Sequence, residues 1–206
     1  MQPSSSSAAA AQAASSAKTS AANPVHDNEG SKGHINSVLF FPDVAMPCRF
    51  GSKCRRKTCA FSHEQTSLTR FLKGIDSAKA TFDVCVFTIT CNEIAAGIIA
   101  LHKRGVRVRI ITDDEQTNAA GSDVGKFIDA GIRVRHDDSP HHMHHKFAVL
   151  DGRILLTGSF NWTRSAVLHN KENILITDHP SLVSAYAREF ENLWLEFRAS
   201  GRGRKL

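Results

Sequence analysis

The chain has 206 residues, 41% of them hydrophobic, which suits one main domain with a real core and a small attachment. Lys and Arg number 26 against 20 Asp and Glu, and the net charge of +6 fits a phosphate-bearing partner, either nucleic acid or an anionic lipid surface, as well as a plain solvated surface. No apolar run reaches the length of a transmembrane helix, so no membrane span is predicted, and five cysteines, three of them clustered with a histidine, fit metal ligation in a reducing compartment better than a disulfide framework.

Residues 1–36 are rich in Ser and Ala, lack hydrophobic periodicity and read as a disordered tail. The first 26 residues hold no acid, as a transit peptide would, but their one basic residue is Lys18 and they contain no Arg, so the plain tail is the favoured reading. Residues 37–66 combine an edge strand, Val38-Leu39-Phe40-Phe41 stopped by Pro42, with the cysteine cluster. Helical and strand patterns then alternate over 67–198. Ser67–Ala80 reads as a helix, Thr81–Ile89 as a buried strand, and Asn92–Arg104 as a helix closed by Gly105. Val106–Thr112 is a strand, Asp123–Ala130 a short helix closed by Gly131, and Ile132–His136 a strand. Lys146–Leu150 and Arg153–Thr157 are two more strands, followed by a strand over Glu172–Thr177. A last helix starts near Pro180 or Ser181, with Leu182, Tyr186, Phe190, Leu193, Trp194 and Phe197 as its apolar stripe. Residues 199–206 form a basic tail. This order predicts an α/β domain, a mixed and mainly parallel sheet flanked by helices, with a small zinc-finger insertion.

The insertion is carried by Cys48, Cys54, Cys59 and His63, spaced C-x5-C-x4-C-x3-H. Three thiolates and an imidazole suit a tetrahedral structural zinc. Phe61 occupies the aromatic place in the C-x-F-x-H end that CCCH fingers show, and Arg49, Lys53, Arg55, Arg56 and Lys57 surround the ligands. Basic and aromatic side chains of this kind serve single-stranded RNA, yet zinc could equally brace a segment too small for its own core.

The chemistry is expected in the hairpin. Asp151-Gly152 is a two-residue turn signal. Taken at face value it pairs His144 with Ser159 and Lys146 with Thr157. His144, Lys146, Thr157, Ser159 and Asn161 then share one face, and Phe147, Val149, Ile154 and Leu156 the other. An imidazole can attack phosphorus or move protons, while an ammonium and neutral donors hold non-bridging oxygens. His141, His142, His144 and His145, with His136 and Asp137 upstream, also leave open a metal-dependent hydrolase.

His144-x-Lys146, four residues to Asp151 and six to Gly158-Ser159-x-Asn161 resemble the phospholipase D signature in full, and the likeness extends over about 67–198. Met143–Phe147, Gly158–Thr163 and Lys171-Glu172-Asn173 look most like the subfamily of Zucchini and mitochondrial cardiolipin hydrolase. The resemblance implies the phospholipase D/nuclease fold and catalysis without a metal. His144 would attack phosphorus to form a phosphohistidine, and the histidine of a second motif would protonate the leaving oxygen and then activate water. Lys146 and Asn161 would bind phosphate oxygens with Ser159 nearby, and Glu172 would match the carboxylate that orients the histidine. Asp151 belongs to the signature, but its odd position against even His144 and Lys146 favours a structural role in the turn. One motif per chain implies a homodimer. An endonuclease on single-stranded RNA or DNA is the first expectation and a cardiolipin hydrolase at a mitochondrial membrane surface the second; an inactive RNA-binding adaptor ranks last. The resemblance implies the mitochondrion, with the cytoplasm as alternative, because animal relatives carry an N-terminal anchor for which no apolar stretch is seen here.

Overall fold

The computed structural model describes residues 26–27, 35–117, 121–137 and 139–199. The expected disordered tail lies outside them except at 26–27 and 35–36, and the basic tail beyond Ala199 lies outside them too.

In chain order the elements are β1 (His26–Asp27), β2 (Asn36–Phe41), a 3-10 turn (Gly51–Lys53), α1 (Ser67–Asp76), β3 (Thr81–Val86), α2 (Asn92–Lys103), β4 (Arg107–Ile111), α3 (Asp114–Thr117), α4 (Val124–Asp129), β5 (Arg133–Arg135), β6 (Lys146–Leu150), β7 (Ile154–Gly158), α5 (Arg164–Leu168), β8 (Glu172–Thr177) and α6 (Pro180–Ala199). The short helices α3 and α5 carry no apolar periodicity long enough to announce them. Thr66 caps α1 in a reciprocal capping box with Thr69. Asp43 accepts from the amides of Ser67 and Leu68 at 2.8 and 2.9 Å, placing a carboxylate at the same helix start.

The strands form one sheet in the order β1-β2-β8-β7-β6-β3-β4-β5. The α/β class, the mixed sheet and the flanking helices are as expected. The expected predominance of parallel pairs is corrected: β3–β4 and β4–β5 are parallel. The other neighbours are antiparallel. Parallel neighbours need a crossover. Here α2 and then α3 with α4 provide the two crossovers, while β6 and β7 meet through a tight turn. Nor is β2 an edge strand, since it lies between β1 and β8 with Phe41 opposite Glu172.

Both faces of the sheet are buried. Over one, Phe71 of α1 and Ile94 and Ile98 of α2 pack with Phe82 of β3 and with Phe160 and Trp162, and α4 and α5 close the same layer with Phe127 and Val167. The other carries Cys85, Phe147, Val149 and Leu155 against α6, which contributes Val183, Phe190, Trp194 and Phe197. The expected stripe of α6 is thus off at its first position: Leu182 is exposed, and Val183 turns inward. Arg109, 4% exposed, ties this helix down. It bonds Asp83 at 2.7 and 2.8 Å and Glu191 at 2.5 Å, with its guanidinium 4.8 Å from the Phe190 ring centre.

Candidate active site

The register of β6 and β7 decides which side chains meet. Asp151 and Gly152 both take positive φ, 53° and 61°, and the Arg153 amide closes the turn on the Leu150 carbonyl at 2.8 Å. Asp-Gly therefore makes the type of turn its chemistry predicts. Pairing resumes only at Ile154, opposite Leu150, so Arg153 is an extra residue and the expected register is corrected by one. Thr157 then lies opposite Phe147, and its hydroxyl meets Tyr186 of α6 at 3.4 Å, away from Lys146. Phe147 and Val149 share their face with Leu155, while Ala148, Leu150 and Leu156 pack on the other.

The other expected residues, Asp151 apart, stand at one end of the sheet. Lys146 opens β6 opposite Val86, the last residue of β3. Ser159 and Asn161 follow the end of β7, and Glu172 opens β8 beside it. Gly158 is needed where β7 meets β8: a Cβ there would stand 2.1 Å from the Asn173 carbonyl oxygen. This close approach lets Ser159 Oγ accept from the Asn173 amide at 3.2 Å and lie 3.4 Å from Asn173 Oδ1. Asn161 Oδ1 is buried and finds no hydrogen-bond partner among the described residues.

His144 is exposed and stands 4.8 Å from the Phe87 ring, centre to centre. Lys146 Nζ reaches over the same ring at 5.3 Å and donates to the His144 carbonyl at 2.8 Å. Burial, then the Lys146 and His142 charges, push the His144 pKa down, against Asp113. The shift favours the ring without its second proton, the form that can attack phosphorus. Burial also lowers the Lys146 pKa, with Glu172 opposing. Glu172 itself accepts from Asn170 Nδ2 at 3.1 Å.

Asp151 is not brought to this group. Its carboxylate accepts from the amides of Lys79, Ala80 and Thr81 at 2.8, 2.7 and 2.8 Å. It sits at the far end of the five-residue β6, roughly 15 Å along the strand from Lys146. Those amides, together with Arg153, hold its pKa below the usual carboxylate range even though burial pushes the other way. The odd parity read from the sequence has this physical meaning.

A cleft of roughly 500 Å3 opens beside His144, with Met143, Leu193 and Phe197 as its apolar part and His142 and His145 on its rim. Of the histidine cluster, His142 alone joins a possible ligand group among the described residues, with Asp113 and Glu115. His141, His142 and His145 are exposed. Phe87 and Asp113 have no place in the motif and were not singled out from the sequence, although both follow the carboxyl ends of parallel strands, where open α/β sheets place their ligands.

The cysteine cluster leaves the sheet at the same end, because β2 runs out at Phe41 opposite Glu172. Its base is closed by the Cys48 amide on the Ser62 carbonyl at 2.7 Å and the Ser62 amide on Met46 at 2.8 Å. The donor atoms of Cys48, Cys54, Cys59 and His63 all lie within 4.8 Å of one another, and the Cys48 and Cys59 sulfurs are 3.9 Å apart. A tetrahedron with metal–sulfur bonds of about 2.3 Å has edges of about 3.8 Å, so the set fits zinc. The Phe50 amide, joined by Cys54, Cys59 and His63 and opposed by burial, lowers the pKa of the Cys48 thiol to about 7. Phe50 and Phe61 are exposed among the basic side chains.

Residues 71–194 match the family model described as cardiolipin synthase, PLD-like domain. The chain belongs to the phospholipase D superfamily. A mitochondrial cardiolipin hydrolase of Chlamydomonas reinhardtii is 49% identical over 170 residues, covering 81% of this chain and 76% of that protein. The Xenopus tropicalis protein of the same name is 45% identical over 166 residues, covering 79% and 78%. The fold matches Nuc, a phospholipase D family member from Salmonella typhimurium, with a TM-score of 0.66 over 84% of this chain and 99% of that one, at 23% identity. The chain is accordingly a hydrolase of phosphodiesters, in the group of the mitochondrial cardiolipin hydrolases.

Proposed function

We propose that this phosphodiesterase works through a phosphohistidine on His144 and that its first substrate class is single-stranded nucleic acid. A ring nitrogen of His144 attacks phosphorus and the bond to the leaving oxygen breaks. That oxygen takes a proton from the His144 of a second copy. Water, deprotonated by the same second histidine, then splits the phosphorus–nitrogen bond and restores both rings. Lys146, Asn161 and Ser159 hold the non-bridging oxygens, whose charge grows in the transition state. Glu172 works on the charge and orientation of this set. Asp151 serves the turn and the loop before β3. One motif per chain makes the active unit a homodimer.

The nucleic-acid reading is carried by one observation: the finger leaves the sheet at the catalytic end, with Phe50 and Phe61 exposed among five cations. Exposed rings stack bases and cations track a backbone. Structural zinc on Cys48, Cys54, Cys59 and His63 shapes that element, and the reaction itself needs no metal. Hydrolysis of cardiolipin is the second reading, favoured by the names of relatives at 45–49% identity and by the apolar part of the cleft. Those names place the enzyme in the mitochondrion. Among the described residues no helix is long and apolar enough to cross a membrane.

The test is end-labelled single-stranded RNA without added divalent metal, with cardiolipin vesicles in parallel and His144→Ala beside each. RNA cleavage lost by about a thousandfold or more in the variant supports the first reading. Intact RNA with hydrolysed vesicles replaces it with the second. A variant as active as the wild type overturns the phosphohistidine.

A further inference from the structure

We propose that Asp113 is a positioning residue for phosphodiester cleavage: its carboxylate grips the backbone of Met143 and the ring of His142, and so sets where the ring of His144 stands. The inference rests on His144 as nucleophile.

Asp113 lies two residues past the end of β4 and is 1% exposed. A buried carboxylate is costly unless it is bonded. One of its oxygens, Oδ2, accepts from the Met143 amide at 3.0 Å and lies 3.4 Å from His142 Nδ1. The other accepts from the Glu115 amide at 3.1 Å. The residue is itself fixed from two strands. Its amide donates to the Phe87 carbonyl at 3.4 Å, where the Thr112 hydroxyl also donates at 2.9 Å, and the Thr112 amide reaches Arg135 at 3.0 Å.

The nucleophile's segment is thus held at three successive points. The backbone of Met143 is held by Asp113, and its buried side chain rests on Cys85, sulfur to sulfur 3.4 Å. The His145 carbonyl accepts from the Phe87 amide at 2.8 Å. Lys146 joins the ladder opposite Val86. His144 is enclosed between these points, with its ring against Phe87. Asp113 provides the hold on the N-terminal side with a side chain, and so it can be removed without touching the motif.

The same carboxylate also acts through charge. The groups facing His144 are Lys146, His142 and His145 from its own segment and Asp113 from the end of β4. Glu115 stands beside His142, Asp137, His141 and Glu196 line the same cleft, and Glu189 of α6 faces His145. Asp113 favours keeping the His144 proton, against Lys146, His142 and His145.

Asp113→Asn keeps an acceptor for the Met143 amide and removes the charge, whereas Asp113→Ala removes both. With bis(p-nitrophenyl) phosphate as probe, Asp113→Ala should lose about a hundredfold in kcat with KM within about twofold, because a misplaced nucleophile fails in the reaction rather than in binding. Asp113→Asn should keep most of kcat but shift the acid limb of its pH profile to lower pH, and the ring C–H signal of His144 should titrate lower by NMR. If Asp113→Ala does not fold, the Asn variant still decides through that titration. Wild-type kcat, profile and titration in the Asp113 variants, with His144→Ala inactive, would overturn the role of Asp113 alone. Turnover retained in His144→Ala would instead remove the nucleophile, leaving the NMR titration to say whether Asp113 still acts on that ring.

Discussion

The catalytic end of the sheet and the cysteine finger leave the same side of the fold, yet their supports differ. Lys146, Ser159 and Glu172 stand at or beside the ends of strands whose ladders continue into apolar layers on both faces. Each is placed by the strand ladders and packed layers behind it. Between Cys48 and His63 no residue is buried; a few backbone bonds close the segment, and the donor atoms of Cys48, Cys54, Cys59 and His63 converge within 4.8 Å of one another. The first region is a rigid platform that exists before any ligand arrives. The second has no core of its own, and a metal would supply most of its folding free energy.

The strongest way to break the first region is to fill its tightest point. A Cβ at residue 158 would lie 2.1 Å from the Asn173 carbonyl oxygen and 3.1 Å from Ile174 Cα, both backbone atoms that cannot step aside. Gly158→Ala should therefore cost about 3 kcal/mol or more, since β7 must part from β8. Urea denaturation measures this, and activity should vanish with it, because Ser159 and Asn173 are bonded across that junction. A variant within 1 kcal/mol of wild type would mean that the two strands are not held as closely as the geometry says.

Asp151 tests the far end of the same platform. Its carboxylate joins three amides of the loop entering β3, so Asp151→Ala should destabilise by about 2 kcal/mol at neutral pH. The folded pKa is depressed, so this stability is fully present above the unfolded value of about 3.9 and is lost as pH falls through the folded one. Melting curves of wild type and variant should converge in acid. A gap that stays constant down to the lowest pH would show that the charge of Asp151 is not what holds the loop.

How much of this was legible in the sequence depends on what periodicity can carry. The motif singled out His144, Lys146, Ser159 and Asn161, the resemblance added Glu172, and the strand pattern set Lys146 and Glu172 at the starts of strands. The register was not legible. Phe147, Ala148, Val149 and Leu150 are all buried, alternately beneath α6 and beneath the other helical layer. A strand that is apolar on both faces reports no alternation, so nothing in its composition reveals the extra residue at Arg153. The mainly parallel sheet failed for a related reason: alternating helices and strands imply crossovers, but chain order alone does not show that β6 enters beside β3 antiparallel. Asp113 was invisible because a Thr-Asp-Asp run after a strand reads as a solvated turn until its burial is known.

The smallest expected effect is the most informative about the comparison, because it is an effect withheld. With zinc on Cys48, Cys54, Cys59 and His63 as proposed, a chelator should expose the amides of 48–63 to hydrogen exchange and leave those of β3, β6 and β7 protected. The finger touches the rest of the fold through Met46, buried at its base, and flanks a gap of roughly 300 Å3 lined by Val44, Phe61, Arg164 and Leu168. That contact is too loose to pull β2 or α5 apart when the finger melts. Turnover of bis(p-nitrophenyl) phosphate should stay within about twofold, while KM for single-stranded RNA rises about tenfold as the exposed rings and cations lose their fixed arrangement. If the small substrate is lost in step with the metal, the finger is a brace for the catalytic end and the two regions are one cooperative unit. If neither substrate is affected, the finger has no part in binding nucleic acid, and the apolar side of the cleft at Met143, Leu193 and Phe197 becomes the better guide to the substrate.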